Sequence, residues 1–288
     1  MFSNNINNIN KMYQLTQLTY GKIIKRPSAS CKTPYVADVT INDEDSCVLA
    51  HTPALGCCGL SDKESNVYMT QAASKNICSY KVQLASLYEP KIGKNILIGI
   101  NPKLAEDLVM SSLQQNLLGF LEDLKSFQRE KKIENTNSRF DFVGIDVNDK
   151  PFIMEVKNVP LADYIDCTAK ERKTYSDESF EHVPYNEKIA YFPDGYRKKA
   201  KDPVSPRALK HLNDLMMLSN EGIYRTIMCY VIQREDVSSF QPSVIDEAYR
   251  NMFYKAQEAG VEMHAIQFVW SEDGSVKLIN DDLIINNL

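Results

Sequence analysis

No apolar run in the sequence approaches the roughly 20 residues that a membrane-spanning helix needs. Positive charge is not in excess either: 33 Lys and Arg against 38 Asp and Glu give a formal net charge of −5. A whole-molecule basic field for nucleic acid is therefore excluded, and any such contact has to come from a local patch. Paired cysteine spacing is also missing. Seven cysteines are an odd number with no disulfide framework, so free thiols in a reducing, cytoplasmic setting are expected. Cys57 and Cys58, with Cys47 and His51 upstream, match no ordinary zinc spacing and read as buried thiols. The opening residues MFSNNINNINKMY lack a basic segment followed by an apolar one, so they do not read as a secretory signal. Residues 1–15 are expected to form a flexible tail.

What is present is an ordinary soluble composition. The 288 residues are 43% hydrophobic and 25% charged, enough for one large domain or two smaller ones. From Tyr20 to about Gly99 the chain reads as short strands: Tyr20–Arg26, Tyr35–Ile41, Cys47–His51, Asn66–Thr70, Cys78–Tyr88 and Asn95–Ile100. Pro, Gly, Ser, Asn and Asp separate them, and strong helix signals are missing, which predicts a small β-barrel over residues 16–101. At Pro102 the period changes. Leucines at 104, 108, 113, 117, 118, 121 and 124 recur at helical spacing, predicting a helix from Pro102 to about Lys125.

The stretch with the most chemistry is SRFDFVGIDVNDKPFIMEVK, Ser138 to Lys157. It reads as a hairpin with acids inside apolar strands. Glu155 and Lys157 are two apart and share a strand face. Asp141 joins them only if the connecting loop has an odd number of residues, because a one-residue slip turns every side chain to the other face. A loop at Asn148–Lys150, or one residue wider on each side, would put Asp141 opposite Lys157 and diagonal to Glu155. Two carboxylates and a lysine are the minimum for Mg²⁺- or Mn²⁺-assisted phosphodiester cleavage. The same spacing also serves a solvent-facing hairpin, so the surrounding chain has to decide.

Leu161 to Lys188 reads as a long polar surface excursion. From Arg197 to Lys210 there are six Lys or Arg and one acid, the most basic short segment of the chain. Ser205-Pro206 reads as a cap and first residue of a helix reaching about Ser219, with Arg207 and Lys210 on its polar side. Arg225–Gln233 is apolar on both faces, as a central strand would be. A helix over Ser243–Ala259, a strand over Val261–Trp270 and a last strand over Val276–Ile279 follow. The region 102–288 thus reads as helices packed on a mixed sheet, and the whole chain as α/β (α+β).

Several short segments, in this order, resemble the sugar fermentation stimulation protein family: SRFDF (Ser138–Phe142), EVKNV (Glu155–Val159), FPD (Phe192–Asp194), KHL (Lys210–Leu212), VIQR (Val231–Arg234) and AGVE (Ala259–Glu262). The resemblance implies an OB-like barrel followed by a restriction-endonuclease-like domain with a PD-(D/E)xK-type site. It maps Asp141 and Glu155 to metal ligands and Lys157 to the catalytic lysine. A further acid is expected from a neighbouring element, Glu130 first and Glu134 second, with Asp194 also in the cleft. It further implies DNA binding and a role in regulating sugar-utilisation genes, so a non-catalytic DNA-binding regulator is the alternative to a nuclease. Arg139, Lys198, Lys199, Arg207, Lys210 and His211 are the expected nucleic-acid contacts, and a homodimer is a possible assembly. One departure stands out: the family's barrel segment HCPNTGSM is here HTPALGCC, His51–Cys58, with its polar positions replaced by Ala54, Leu55 and Cys57.

Overall fold

The computed structural model describes residues 12–42, 46–52, 57–73, 77–133, 136, 138–193 and 202–287. A short strand β1 (Tyr13–Gln14) precedes six strands of the first domain: β2 (Thr19–Lys25), β3 (Val36–Ile41), β4 (Cys47–His51), β5 (Asn66–Gln71), β6 (Tyr80–Glu89) and β7 (Lys94–Gly99). The sheet runs β4-β3-β2-β5-β6-β7 and closes on itself where β4 pairs in parallel with β6. Closure removes the exposed edges of β4 and β6 and makes an OB-like barrel. Ile23, Val39, Val67, Met69, Val82, Ile96 and Ile98 fill its interior and are fully buried.

The second domain begins at α1 (Pro102–Gln114), capped by the Asn101 side chain on the Lys103 amide. It continues through β8 (Ser126–Lys132), β9 (Arg139–Ile145), β10 (Pro151–Asn158), β11 (Ala162–Asp163), α2 (Ala169–Arg172), β12 (Lys188–Phe192), α3 (Pro206–Asn220), β13 (Arg225–Ile232), β14 (Val237–Pro242), α4 (Glu247–Glu258), β15 (Glu262–Trp270) and β16 (Ser275–Asn280). Its main sheet runs β1-β16-β15-β13-β10-β9-β8, with β10, β13 and β15 mutually parallel and the outer pairs antiparallel. Alternation along β10 divides the packing. Phe152, Met154 and Val156 meet Leu104, Leu108 and Val109 of α1 on one face. Ile153 belongs to the opposite core, with Ala208, Leu212 and Leu215 of α3 and Phe253 of α4. The mixed sheet with helices on both faces matches the expected restriction-endonuclease-like layering.

Two expectations are corrected. Residues 12–15 are not tail: β1 pairs with β16, and Met12 and Leu15 are buried in the main core. α1 stops at Gln114, because Asn116 takes a left-handed backbone (φ 57) and Asp123 another (φ 52). The later leucines therefore reach the core from a loop and a short 3₁₀ turn, Leu118 and Leu121 being buried. The 161–188 excursion carries β11 and α2 and packs against the barrel. Tyr164 stacks on Phe180, Arg172 lies over Phe180, and Lys91 of the barrel bonds the Phe180 carbonyl. Sequence periodicity also missed β14, a strand of only six residues (VSSFQP), which pairs in parallel with β12. Among the described residues no helix is long and apolar enough to cross a membrane.

Candidate active site

The hairpin loop is odd in length, as expected, but is centred one residue earlier than expected, which shifts the strand register by two. Ile145 pairs with Pro151, so the loop is Asp146–Lys150. Asp146 closes it: its Oδ1 accepts from the amides of Asn148 and Lys150, each at 2.9 Å, and Asp149 turns at φ 64. The ladder then runs to Phe142 opposite Met154. Continuing that register places Asp141 opposite Glu155, not opposite Lys157. There the backbone pairing gives way to a side chain, and the Val156 amide donates to Asp141 Oδ2 at 2.7 Å.

Glu155 and Lys157 point toward α3. Glu155 Oε1 accepts two short hydrogen bonds, from Lys157 Nζ and from His211 Nδ1. Glu155 Oε2 is buried and has no partner. Burial and the neighbouring Glu155 charge push the Asp141 carboxyl up to about 7, against the pull of Lys157 and the Val156 amide. Burial also works against ionised Glu155, but Lys157 and His211 outweigh it and hold that carboxyl below its ordinary value. Two neighbouring acids whose carboxyls shift in opposite directions make this a candidate site.

These groups line a cleft of ≈ 240 Å³ with Pro102 and Glu106 of α1, Asn158 of β10, Phe192 of β12, and Ser205, Arg207 and Ala208 around the start of α3. Residues from the first turns of two capped helices thus line the cleft, where the positive ends of the helix dipoles favour an anion. Asn158 is fixed from the barrel side: its Nδ2 donates to the Gly99 carbonyl at 2.9 Å and its Oδ1 accepts from Gln233 at 2.7 Å. Gly99 has to be glycine for this junction, since a Cβ would stand 2.1 Å from Gln233 Oε1.

Other expected residues are placed differently. Glu130 is exposed, with a left-handed backbone (φ 52) that breaks the strand alternation, and pairs loosely with Lys103 and Arg139. The further acid in the cleft is Glu106 instead, its Oε2 held by Lys103 at 2.6 Å and Arg129 at 2.8 Å. The available signal was its place one turn into α1, flanking the buried Ala105 and Leu108. His211 is not a surface contact: it is 5% exposed and faces inward onto Glu155. Lys210 is half exposed but tied to Asp214 and Ser138, and does not line the cleft. Arg139 is exposed beside Glu130. Asp194, Lys198, Lys199 and Glu134 lie outside the described residues, as do Ala54 and Leu55 of the altered barrel segment. Among the described residues, no three His, Cys, Asp or Glu side chains already converge as a metal cage.

Comparison with known proteins bears on this geometry. The family model described as the sugar fermentation stimulation protein RE domain matches residues 103–170 and 181–274, more than half of the chain, including every cleft residue but Pro102. The chain belongs to the sugar fermentation stimulation protein (SfsA) family. Its similarity extends over the barrel as well. An SfsA homolog of Bartonella tribocorum is 27% identical over 265 residues, covering 91% of this chain and 93% of that one. A homolog of Bartonella quintana is 28% identical over 277 residues, covering 94% and 100%. A solved structure, that of Pyrococcus furiosus SfsA in complex with Ca²⁺, superposes with a TM-score of 0.73 over 96% of this chain and all of that one, at 18% identity, and shares the fold.

Proposed function

We propose that this SfsA protein is a DNA-binding protein whose cleft cleaves phosphodiesters with the help of Mg²⁺ or Mn²⁺. The observation that carries this reading is Glu155 Oε2: a carboxylate oxygen buried without a partner, beside a second carboxyl that burial and repulsion keep high. An orphaned buried acceptor is costly in a protein that never fills it. A divalent ion resolves both features at once, and oxygen donors of this kind suit Mg²⁺ and Mn²⁺. The Ca²⁺ complex of the Pyrococcus furiosus relative supports a hard divalent ion at this fold.

Asp141 and Glu155 Oε2 would hold the ion, which supplies Lewis-acid stabilisation of phosphate charge and a more acidic bound water. Lys157 keeps an ammonium at the cleft through its bond to Glu155 and orients the attacking water or balances developing charge. Arg207, at the rim, holds the nucleic-acid backbone. The capped first turns of α1 and α3 add favourable potential for a phosphate without reading a base, so sequence specificity is low. The alternative, a DNA-binding regulator without turnover, draws on the absence of a preformed cage among the described residues and on Glu106 being engaged by two cations.

The test is incubation with single- and double-stranded DNA and RNA in Mg²⁺ or Mn²⁺, beside Asp141→Ala and Lys157→Ala. Cleavage is expected in the parent protein and a fall of about 100-fold or more in each variant. Cleavage that persists unchanged in both would overturn the assignment. Salt-sensitive DNA binding without any cleavage would favour the regulator.

A further inference from the structure

We propose that His211 is a positioning residue: by occupying one oxygen of Glu155 it leaves the other as the atom that meets the divalent ion. The proposal rests on the metal-site reading above. The Glu155 side chain is 3% exposed, so each oxygen needs a partner inside the protein. Oε1 has two, Lys157 Nζ from the same strand face and His211 Nδ1 from α3, while Oε2 has none. The terminal torsion of a glutamate is a broad, roughly two-fold rotor. Held by Lys157 alone, on a flexible stem, the carboxylate could present either oxygen or straddle the ammonium.

The imidazole removes that freedom. An ionised carboxylate only accepts, so the shared proton sits on Nδ1, and a neutral ring suffices as donor. The ring itself cannot swing away. His211 is 5% exposed, with its centroid 6.4 Å from Phe140, and its helix sinks Ala208, Leu212 and Leu215 into the core. Lys157 Nζ also lies 3.4 Å from the same Nδ1, too long and with no free acceptor there for a competing bond of comparable strength. Glu155 therefore divides its work between two atoms: Oε1 gathers the lysine and histidine, and Oε2 faces the ion.

The experiment measures Mn²⁺ binding to the full chain by loss of the free-ion EPR signal, for the parent, His211→Leu, His211→Asn and His211→Gln. Leucine fills space without a donor. Asparagine puts an amide N–H near the place of Nδ1, and glutamine puts it farther out, near that of Nε2. His211→Leu is expected to weaken Mn²⁺ binding about 10–100-fold, the usual cost of losing a partner that orients a ligand. His211→Asn should stay near the parent value and His211→Gln should fall with leucine. If the leucine variant fails to fold, the asparagine and glutamine pair still decides. Parent-like binding by His211→Leu, or equal weakening by asparagine and glutamine, overturns the proposal while leaving the metal site standing. Absence of Mn²⁺ binding by the parent overturns both.

Discussion

Among the described residues, the Lys188 cluster and the cleft are both buried groups of acids and bases, and they are built on different rules. One joins the barrel to the second domain. Lys188 Nζ donates to Glu89 Oε2 at 2.6 Å and to Asp236 Oδ2 at 2.8 Å, and Arg234 forks onto both oxygens of Asp236 while its third arm reaches the Pro160 carbonyl. Two cations meet two anions, and Asp236 is held down at about 2, the arginine and lysine overcoming its burial. The other cluster is the cleft. There two carboxyls, Asp141 and Glu155, face one ammonium and an imidazole that needs no charge. Asp141 is driven up to about 7 and Glu155 keeps an unpartnered oxygen. A structural cluster balances its charges and satisfies its donors. A site that takes up a cation, as we propose for the cleft, would leave a surplus of acceptors that destabilises the protein until it is filled.

The sharpest way to break this contrast is to remove one cation from the balanced cluster. Lys188→Met would leave Glu89 facing an apolar chain and strip Asp236 of one of its two cations. Losing one partner of a buried pair typically costs about 3–5 kcal/mol, so the urea midpoint should fall steeply. A midpoint within error of the parent would show that the cluster is not a stabilising clamp. The opposite sign is expected in the cleft. Asp141→Asn keeps an oxygen for the Val156 amide and removes a buried charge beside Glu155. In the metal-free protein at pH 8 it should raise stability by about 1–3 kcal/mol, while abolishing Mn²⁺ binding. A loss of stability in this variant would mean that the cleft, like the other cluster, is built for structure.

The pH dependence separates the two clusters by direction. For Asp236 the folded value is below the unfolded one. Its contribution is complete above about pH 4 and is lost as pH falls toward 2, about 2 kcal/mol in all. For Asp141 the folded value is above the unfolded one, so the folded state binds the extra proton between about pH 4 and 7. Stability from that group is therefore lost as pH rises through this window. The gap in urea midpoint between Asp141→Asn and the parent should open from pH 4 to 7 and then level off. Mn²⁺ affinity should run the other way, rising until about pH 7, because the ion displaces the proton. A gap independent of pH would sink the assignment of the surplus charge to Asp141.

How far these clusters were legible in the sequence differs for the same reason. Glu155 and Lys157 are two residues apart on a strand, so period-two alternation exposed them, and the need for an odd loop joined Asp141 to them. The register itself was hidden in the Asp146 side chain, whose bonds to the Asn148 and Lys150 amides choose a five-residue loop centred one position before the expected one. Glu106 and His211 stand on helices whose orientation only packing decides, and the left-handed backbone at Glu130 defeated alternation there. The balanced cluster was invisible. Glu89 ends β6, Lys188 begins β12 and Asp236 lies between β13 and β14, and nothing local marks Glu89 and Lys188 as its partners. The barrel strands were read to within one or two residues because each is short, apolar inside and punctuated by turn residues. β14 was not, because Ser238, Ser239 and Gln241 hide a strand of six residues.

The smallest expected effect concerns the rim, and it tests whether a charge is already spent within the fold. Arg207 lines the cleft and is exposed, whereas Lys210 is bonded to Asp214 at 2.6 Å and to Ser138 at 2.5 Å. A lysine whose charge is met inside the protein releases few counterions when nucleic acid arrives. Arg207→Ala should therefore lower the slope of log affinity for DNA against log salt by about 1, with little dependence on sequence. Lys210→Ala should leave that slope unchanged and should act instead on stability, since Asp214 would lose a partner. Equal loss of slope in both variants would place Lys210 in contact with phosphate, as the basic run in the sequence suggests. Its internal bonds would then have to break on binding, and the charge balance inferred from the free protein would not hold at the rim.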